Sequence, residues 1–458
     1  MATSIQNFVT IKAGKLRLSP TLEINELVQA TRAKGNKVVH LGFGEATFPV
    51  QKDVLAAHEQ HSRSTSYMPV AGALELRQAI AEYNARRYGI QIEADQVVVA
   101  PGSKPLLFAL FDILKGDVLL PRPSWVSYEP QIQLANKRHF WVETDEHDRH
   151  SITFEALDAA YKRALEEKAD PRIMLINSPS NPTGQVFSPP VLTVISTFCQ
   201  DKGIVLISDE IYSDLTYDQE ANPISAFQIS NAITGDARPS KAATPVIITS
   251  GLSKTYSAGG WRVGYAIFPH CESGRHIRDT TLAYASECWS AASAPAQLAS
   301  IEALGTSCAM NSYRRMVTSL HSHCTTRLYE ALRDLGLNVA EPKGAFYVYP
   351  SFQPYSAQLE KLNVRTSVEL SQWLISECGV AALPGSAFGE ADDGLVGGRL
   401  RLRMATSYLY FQSEADRYEK GYAMLERAGE EQELYLPLLD EAILSLQGAV
   451  QKLRDTPK

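Results

Sequence analysis

Short apolar runs rich in β-branched residues alternate with longer, helix-patterned stretches through the first two-thirds of this chain, and that rhythm limits the fold more than any other feature. Strand candidates fall at 38–43, 96–100, 118–120, 172–177, 204–208, 246–250 and 262–268. Several are apolar without a polar alternation, as strands buried on both faces of a mostly parallel sheet are. Between them lie helical patterns: in 74–88, Leu76, Ile80 and Tyr83 recur at helical spacing and the run stops at Gly89. The order predicts an α/β fold whose ligands sit beyond the carboxyl ends of the strands. After about residue 330 the rhythm changes. Strands at 344–349, 380–383 and 399–405, with a helix at 366–378, read as a smaller α+β domain. From Gly429 onward the pattern is an appended amphipathic helix, and 218–244 reads as a surface insertion.

With 458 residues, 45% of them hydrophobic and 21% charged, the chain has ample material for a large core, which excludes disorder of its bulk. Forty-four basic residues against 51 acidic ones give a net charge of −7, a poor match to nucleic acid or an anionic membrane. The cysteines at 199, 271, 288, 308, 324 and 378 contain no Cys-x-x-Cys pair, so neither a disulfide framework nor a zinc ribbon is legible. No bound metal is expected. The first residues lack the apolar core of a signal peptide, and no apolar run is long enough for a membrane span. A cytoplasmic protein with reduced thiols is the expectation.

Three segments that follow strands carry the chemistry. Asn177-Ser-Pro-Ser-Asn-Pro-Thr-Gly184 places Asn181 in a turn beyond a buried strand, where it can donate to a ligand; Pro182 removes it as a glycosylation acceptor. Asp209, in Ile207-Ser-Asp-Glu-Ile-Tyr212, follows buried apolar residues, where a carboxylate is costly unless paired or functional. Lys254 lies in Ser250-Gly-Leu-Ser-Lys-Thr-Tyr-Ser-Ala-Gly-Gly-Trp-Arg262, with small residues around it and Arg262 eight positions on. Gly42-x-Gly44 after a strand hints at a dinucleotide loop. The third glycine is absent and Pro49 stands where a helix should begin, so that reading fails.

Together, from about Ser19 to Ala428, these residues resemble the class I and II pyridoxal-phosphate aminotransferases of fold type I, nearest in motif to the bacterial-type aspartate aminotransferase subgroup. The resemblance implies a large domain with a mostly parallel seven-stranded sheet (55–330), a small α+β domain (331–428), an N-terminal segment joined to it as a lid (1–54), and an extension at 429–458. It implies Lys254, Asp209 and Tyr212 as the catalytic set. Lys254 is the lysine that bonds the cofactor aldehyde as a Schiff base and then moves the substrate α-proton. By the same resemblance Asp209 would pair with the pyridinium nitrogen, Asn181 and Tyr212 with the phenolic oxygen, and Arg262 with the phosphate. The turn Ala100-Pro-Gly-Ser-Lys-Pro105 adds Gly102, Ser103 and Lys104 at a helix start, which binds anions. Trp125 matches the stacking aromatic, Ser253 a cofactor contact, and Tyr67 a tyrosine that reaches the neighbouring subunit's phosphate, which implies a homodimer.

For the substrate, Arg401 matches the arginine that grips the α-carboxylate. Arg399 and Arg403 alternate with it along Arg399-Leu-Arg-Leu-Arg403 and share its face, so strand register decides among them. Gly44, Trp125 and Asn181 match further substrate contacts, and Lys104 and Thr21 match the readers of a distal carboxylate. Two departures bear on the substrate. Gly251 stands where many relatives carry a phosphate-binding serine, and Gly44-Glu-Ala-Thr replaces the usual Gly-Glu-Pro-Asp. The implied activity is transamination between an aspartate- or glutamate-like or aromatic L-amino acid and a 2-oxo acid such as 2-oxoglutarate. The alternative is lyase, substitution, cyclisation or oxidase chemistry on the same fold, because the scaffold alone does not choose the reaction.

Overall fold

The computed structural model describes residues 8–10, 14, 16–219, 224–233, 244–392 and 399–457. Its strands are β1 (Val39–His40), β2 (Val97–Ala100), β3 (Asp117–Arg122), β4 (His139–Glu143), β5 (Pro171–Asn177), β6 (Val205–Asp209), β7 (Val246–Gly251), β8 (Gly264–Ile267), β9 (Tyr347–Val348), β10 (Val380–Ala381), β11 (Leu383–Pro384) and β12 (Leu402–Ala405). Seven of them form one sheet in the order β2-β8-β7-β6-β5-β3-β4. Every pairing is parallel except the two made by β8. The pleat sends Val97 and Val99 of β2 into one hydrophobic cluster, Val98 and Ala100 into another. Helices cover both faces, which is why these strands show no polar alternation.

The edge strand β4 lies outside the predicted runs. Its sequence His-Phe-Trp-Val-Glu alternates half-buried and buried residues, the mark of a strand with one partner and one covered face. The predicted strand at 38–43 is real only at β1, and β1 joins a different sheet, pairing in parallel with β10. Strands β11, β12 and β9 form a small antiparallel sheet.

The predicted surface insertion at 218–244 is corrected where it is described. Residues 220–223 and 234–243 lie outside the described residues, but Ala226–Ile233 is a helix, with Ala226 and Phe227 buried and the Ser225 hydroxyl donating to Glu210 at 2.7 Å. The C-terminal helix starts at Pro437 rather than Gly429. Pro437 sets the first helical φ and disfavours helix in the residue before it. Leu439, Ala442, Leu446, Ala449, Val450 and Leu453 form its buried stripe, packed on helices Cys308–Asp334 and Ser367–Cys378. Among the described residues, no helix is long and apolar enough to cross a membrane.

Candidate active site

The carboxyl ends of β2, β3, β5, β6 and β7 open on a cavity of about 400 Å³. Lys254 and Ser253, just past β7, line it, with Asp209 at the end of β6 and Tyr212 just past it, Asn181 after β5, Trp125 after β3, and Ser103 and Lys104 after β2. Arg262 enters from the short link before β8, its backbone held in the left-handed region at φ 56. That conformation is uncommon outside glycine and clusters at functional sites. Thr21 and Gly44 close the cavity from the N-terminal segment. Gly102 lies just outside the lining, beneath Arg262, where a β-carbon would strike the guanidinium.

Asp209 is 3% exposed. Tyr128 donates to its Oδ2 at 2.7 Å and Thr249 to its Oδ1 at 3.1 Å. Desolvation still outweighs these donors and raises the carboxyl to about 6, and no cation among the described residues pairs with it. The Lys254 Nζ donates to the Gly44 carbonyl at 2.6 Å. Burial brings its ammonium down to about 8; Glu45 works against that, while Arg403, Arg262 and Lys104 reinforce it. The Tyr212 and Tyr347 hydroxyls are 2.7 Å apart, and the Asn181 amide reaches Tyr347 at 3.4 Å.

The arginine assignment is corrected by the register. Arg401 is off the cavity: it is 2% exposed and locked to Glu146 at 2.6 Å and to Glu390. Two residues along the same face, Arg403 lines the cavity. It donates to Asn181 Oδ1 at 3.2 Å and to the Gly42 carbonyl at 2.6 Å, lies over the Tyr347 ring, and has a buried Nε without a partner. Its charge has no carboxylate among the described residues, and a buried unpaired cation is expensive unless an anion arrives. Arg399 pairs with Asp145 at 3.3 Å. At Gly44 a β-carbon would come within 2.5 Å of the Tyr347 hydroxyl, so any side chain there would require that tyrosine to shift. Gly251 also has a steric reason: its β-carbon would come within 2.7 Å of the Val263 carbonyl, so the backbone of β8 excludes a serine there.

Tyr67 is 97% exposed and away from the cavity of its own chain. Tyr128, Tyr347 and Glu45 are site residues without a sequence assignment, and Arg403 is named there only as an alternative to Arg401. Tyr128 stands three residues from Trp125 and Glu45 one residue from Gly44, whereas Tyr347 lies in a strand remote in sequence from any assigned position.

The family model for aminotransferase class I and II matches residues 36–408. The chain belongs to that family. It is 32% identical over 418 residues to the aspartate aminotransferase of Geobacillus stearothermophilus, covering 89% of this chain and 97% of the relative. It is 32% identical over 401 residues to a probable aspartate/prephenate aminotransferase of Aquifex aeolicus, covering 86% and 94%. The solved Thermus thermophilus aspartate aminotransferase with maleate superposes with a TM-score of 0.75 at 26% identity, over 92% of this chain and 99% of that one. The aminotransferase is of fold type I, depends on pyridoxal 5′-phosphate, and moves amino groups between amino acids and 2-oxo acids. Relatives of this kind do not favour the lyase, cyclase or oxidase reading.

The donor set fits that cofactor. Asp209, a buried carboxylate with no cation partner among the described residues, suits a protonated ring nitrogen; Trp125 offers a ring face; Tyr212 and Asn181 offer donors to the phenolic oxygen. Arg262, Ser253 and the start of helix Ser103–Ile113 form an anion cup, and Lys254 presents the amine. When bound, the cofactor supplies an electron sink that acidifies the substrate α-proton.

Proposed function

We propose that this aminotransferase acts on dicarboxylic amino acids, aspartate or glutamate, with 2-oxoglutarate as acceptor. The observation that carries the reading is a pair of cations without carboxylate partners among the described residues on different walls of one cavity. Arg403 lies against Asn181 and Gly42; Lys104 has its Nζ 5.0 Å from the Trp125 ring centre. Burial and the charge of Arg262 lower the Lys104 ammonium, so a carboxylate placed beside it would be strongly favoured. Arg403 would hold the α-carboxylate, Lys104 and Thr21 the distal one. Lys254 would move the α-proton, which a partly desolvated amine brought down to about 8 can accept and return near neutral pH. The names of the relatives point the same way.

Lys104→Met should lower kcat/KM for aspartate by about tenfold to a hundredfold, the worth of one charge-assisted contact, and leave phenylalanine nearly unchanged. Half-reactions followed by loss of the visible absorption band, one amino acid at a time, check this. If phenylalanine or alanine bleaches the protein and aspartate and glutamate do not, the dicarboxylate reading is wrong.

The active unit in this proposal is a homodimer in which Tyr67 of one subunit completes the cofactor phosphate site of the other. The support is the full exposure of a large aromatic side chain in the turn before helix Leu74–Tyr88. Sedimentation should give a dimer, and Tyr67→Phe should weaken cofactor retention by about tenfold; a monomer with full activity would refute it. Six free cysteines favour a reducing compartment such as the cytoplasm, which cell fractionation would test.

A further inference from the structure

A second cleft, of about 520 Å³, lies between helices Leu74–Tyr88 and Cys308–Asp334 and the turn that follows Tyr212. Each helix contributes two consecutive arginines, Arg86 and Arg87 from one, Arg314 and Arg315 from the other. Neighbours on a helix point about 100° apart, so one of each pair turns inward and one stays at the mouth.

The inward pair is already committed. Arg87 bonds Asp214 at 3.1 Å and the Ser213 hydroxyl at 3.2 Å. Asp214 is in turn saturated, accepting from Tyr83 and from Thr255 at 3.0 Å. Arg314 is fixed by dipoles alone, donating to the carbonyls of Ala303 at 3.1 Å and Gly305 at 3.0 Å and to the Tyr256 hydroxyl at 2.9 Å. Its positive charge is therefore held in place but not balanced by a carboxylate of its own. Arg86 and Arg315 at the mouth make no ion pair among the described residues. Among the described residues, Asp218 is the one other acid lining the cleft. Among the described lining residues, four guanidinium groups facing two carboxylates leave a local charge of about +2 in a protein whose net charge is −7.

We infer that this cleft is a second anion site, separate from the cofactor phosphate cup, that takes a small polyanion bearing clustered phosphate or carboxylate groups. The fixed Arg314 supplies a pre-oriented positive charge, and the exposed Arg86 and Arg315 offer guanidinium groups from two sides in the forked geometry that phosphate and carboxylate match. The site also abuts the reaction centre: Ser213 follows Tyr212, and Thr255 follows Lys254.

Calorimetry of the cofactor-loaded enzyme with pyrophosphate and with citrate, at low ionic strength and with succinate saturating the substrate cavity, tests the assignment. One site per chain with a dissociation constant on the order of 1 mM or tighter is expected, weakening as salt rises. Arg86→Ala/Arg315→Ala should weaken it by at least about tenfold while leaving the catalytic residues untouched. Tighter pyrophosphate identifies a phosphorylated ligand, tighter citrate a polycarboxylate. No heat from either probe, or binding that the double variant retains in full, overturns the proposal.

Discussion

Arg403→Ala lowers kcat/KM by about a hundredfold to a thousandfold with little loss of stability, whereas Arg401→Ala chiefly destabilises the fold. The two arginines stand two residues apart on one strand face, and their partners set their fates. Arg403 has hydrogen bonds to Asn181 and Gly42 but no carboxylate among the described residues, and it lines the cavity. Removing it deprives an incoming carboxylate of a buried, forked cation, an effect of about 3–4 kcal/mol, or two to three powers of ten. Arg403→Lys recovers only part, because a point charge cannot reproduce the fork. Arg401 is already neutralised, with its Glu146 and Glu390 partners each 12% exposed. Its removal strands two buried carboxylates, a loss of about 3–5 kcal/mol. Steady-state kinetics and urea midpoints on both variants decide the matter. A collapse of kcat/KM in Arg401→Ala at unchanged stability, with Arg403→Ala near wild type, would return the substrate carboxylate to Arg401.

That reversal shows where sequence reading stops. The composition of the cavity was legible because Lys254, Asp209, Asn181 and Trp125 each follow an apolar run, and a strand end in an α/β fold is where ligands gather. Register was not. Alternation puts Arg401 and Arg403 on one face, and only the pairing of Leu383 with Arg403 and of Met404 with Val348 says which reaches the cavity. Tyr128 was hidden for a related reason. It is buried like a core tyrosine and betrays its role only through the hydroxyl on Asp209, 81 residues away in sequence. A seven-stranded sheet was expected and is present, with one exchange of members. The apolar-led run around β1 resembles a central strand yet β1 pairs with β10, and the half-polar β4 resembles a loop yet closes the sheet edge. Hydrophobicity reports how many faces of a strand are covered, and not which strand covers them.

Lys254→Ala lowers turnover by at least about ten-thousandfold, since the variant loses both the amine that anchors the cofactor and the group that moves the α-proton. The same substitution exposes the electrostatic cost of keeping that amine in the cavity. In the cofactor-free protein the folded-state ammonium titrates near 8, against an ordinary value of 10.5. Between those limits the unfolded chain holds a proton that the folded chain has released, so stability rises with pH across the window. Below about 8 both states are protonated, and the penalty of a partly buried ammonium beside Arg403, Arg262 and Lys104 is fully present. The slope cannot exceed about 1.4 kcal/mol per pH unit for one proton. Urea midpoints of the cofactor-free wild type and Lys254→Ala, compared from about pH 8 to pH 10, isolate it, because tyrosines titrating at the upper end cancel in the difference. The wild type gains stability relative to the variant as pH rises. Parallel curves for the two proteins would mean that the lysine is as well solvated as a surface one, and its readiness to act as a base near neutral pH would need another cause.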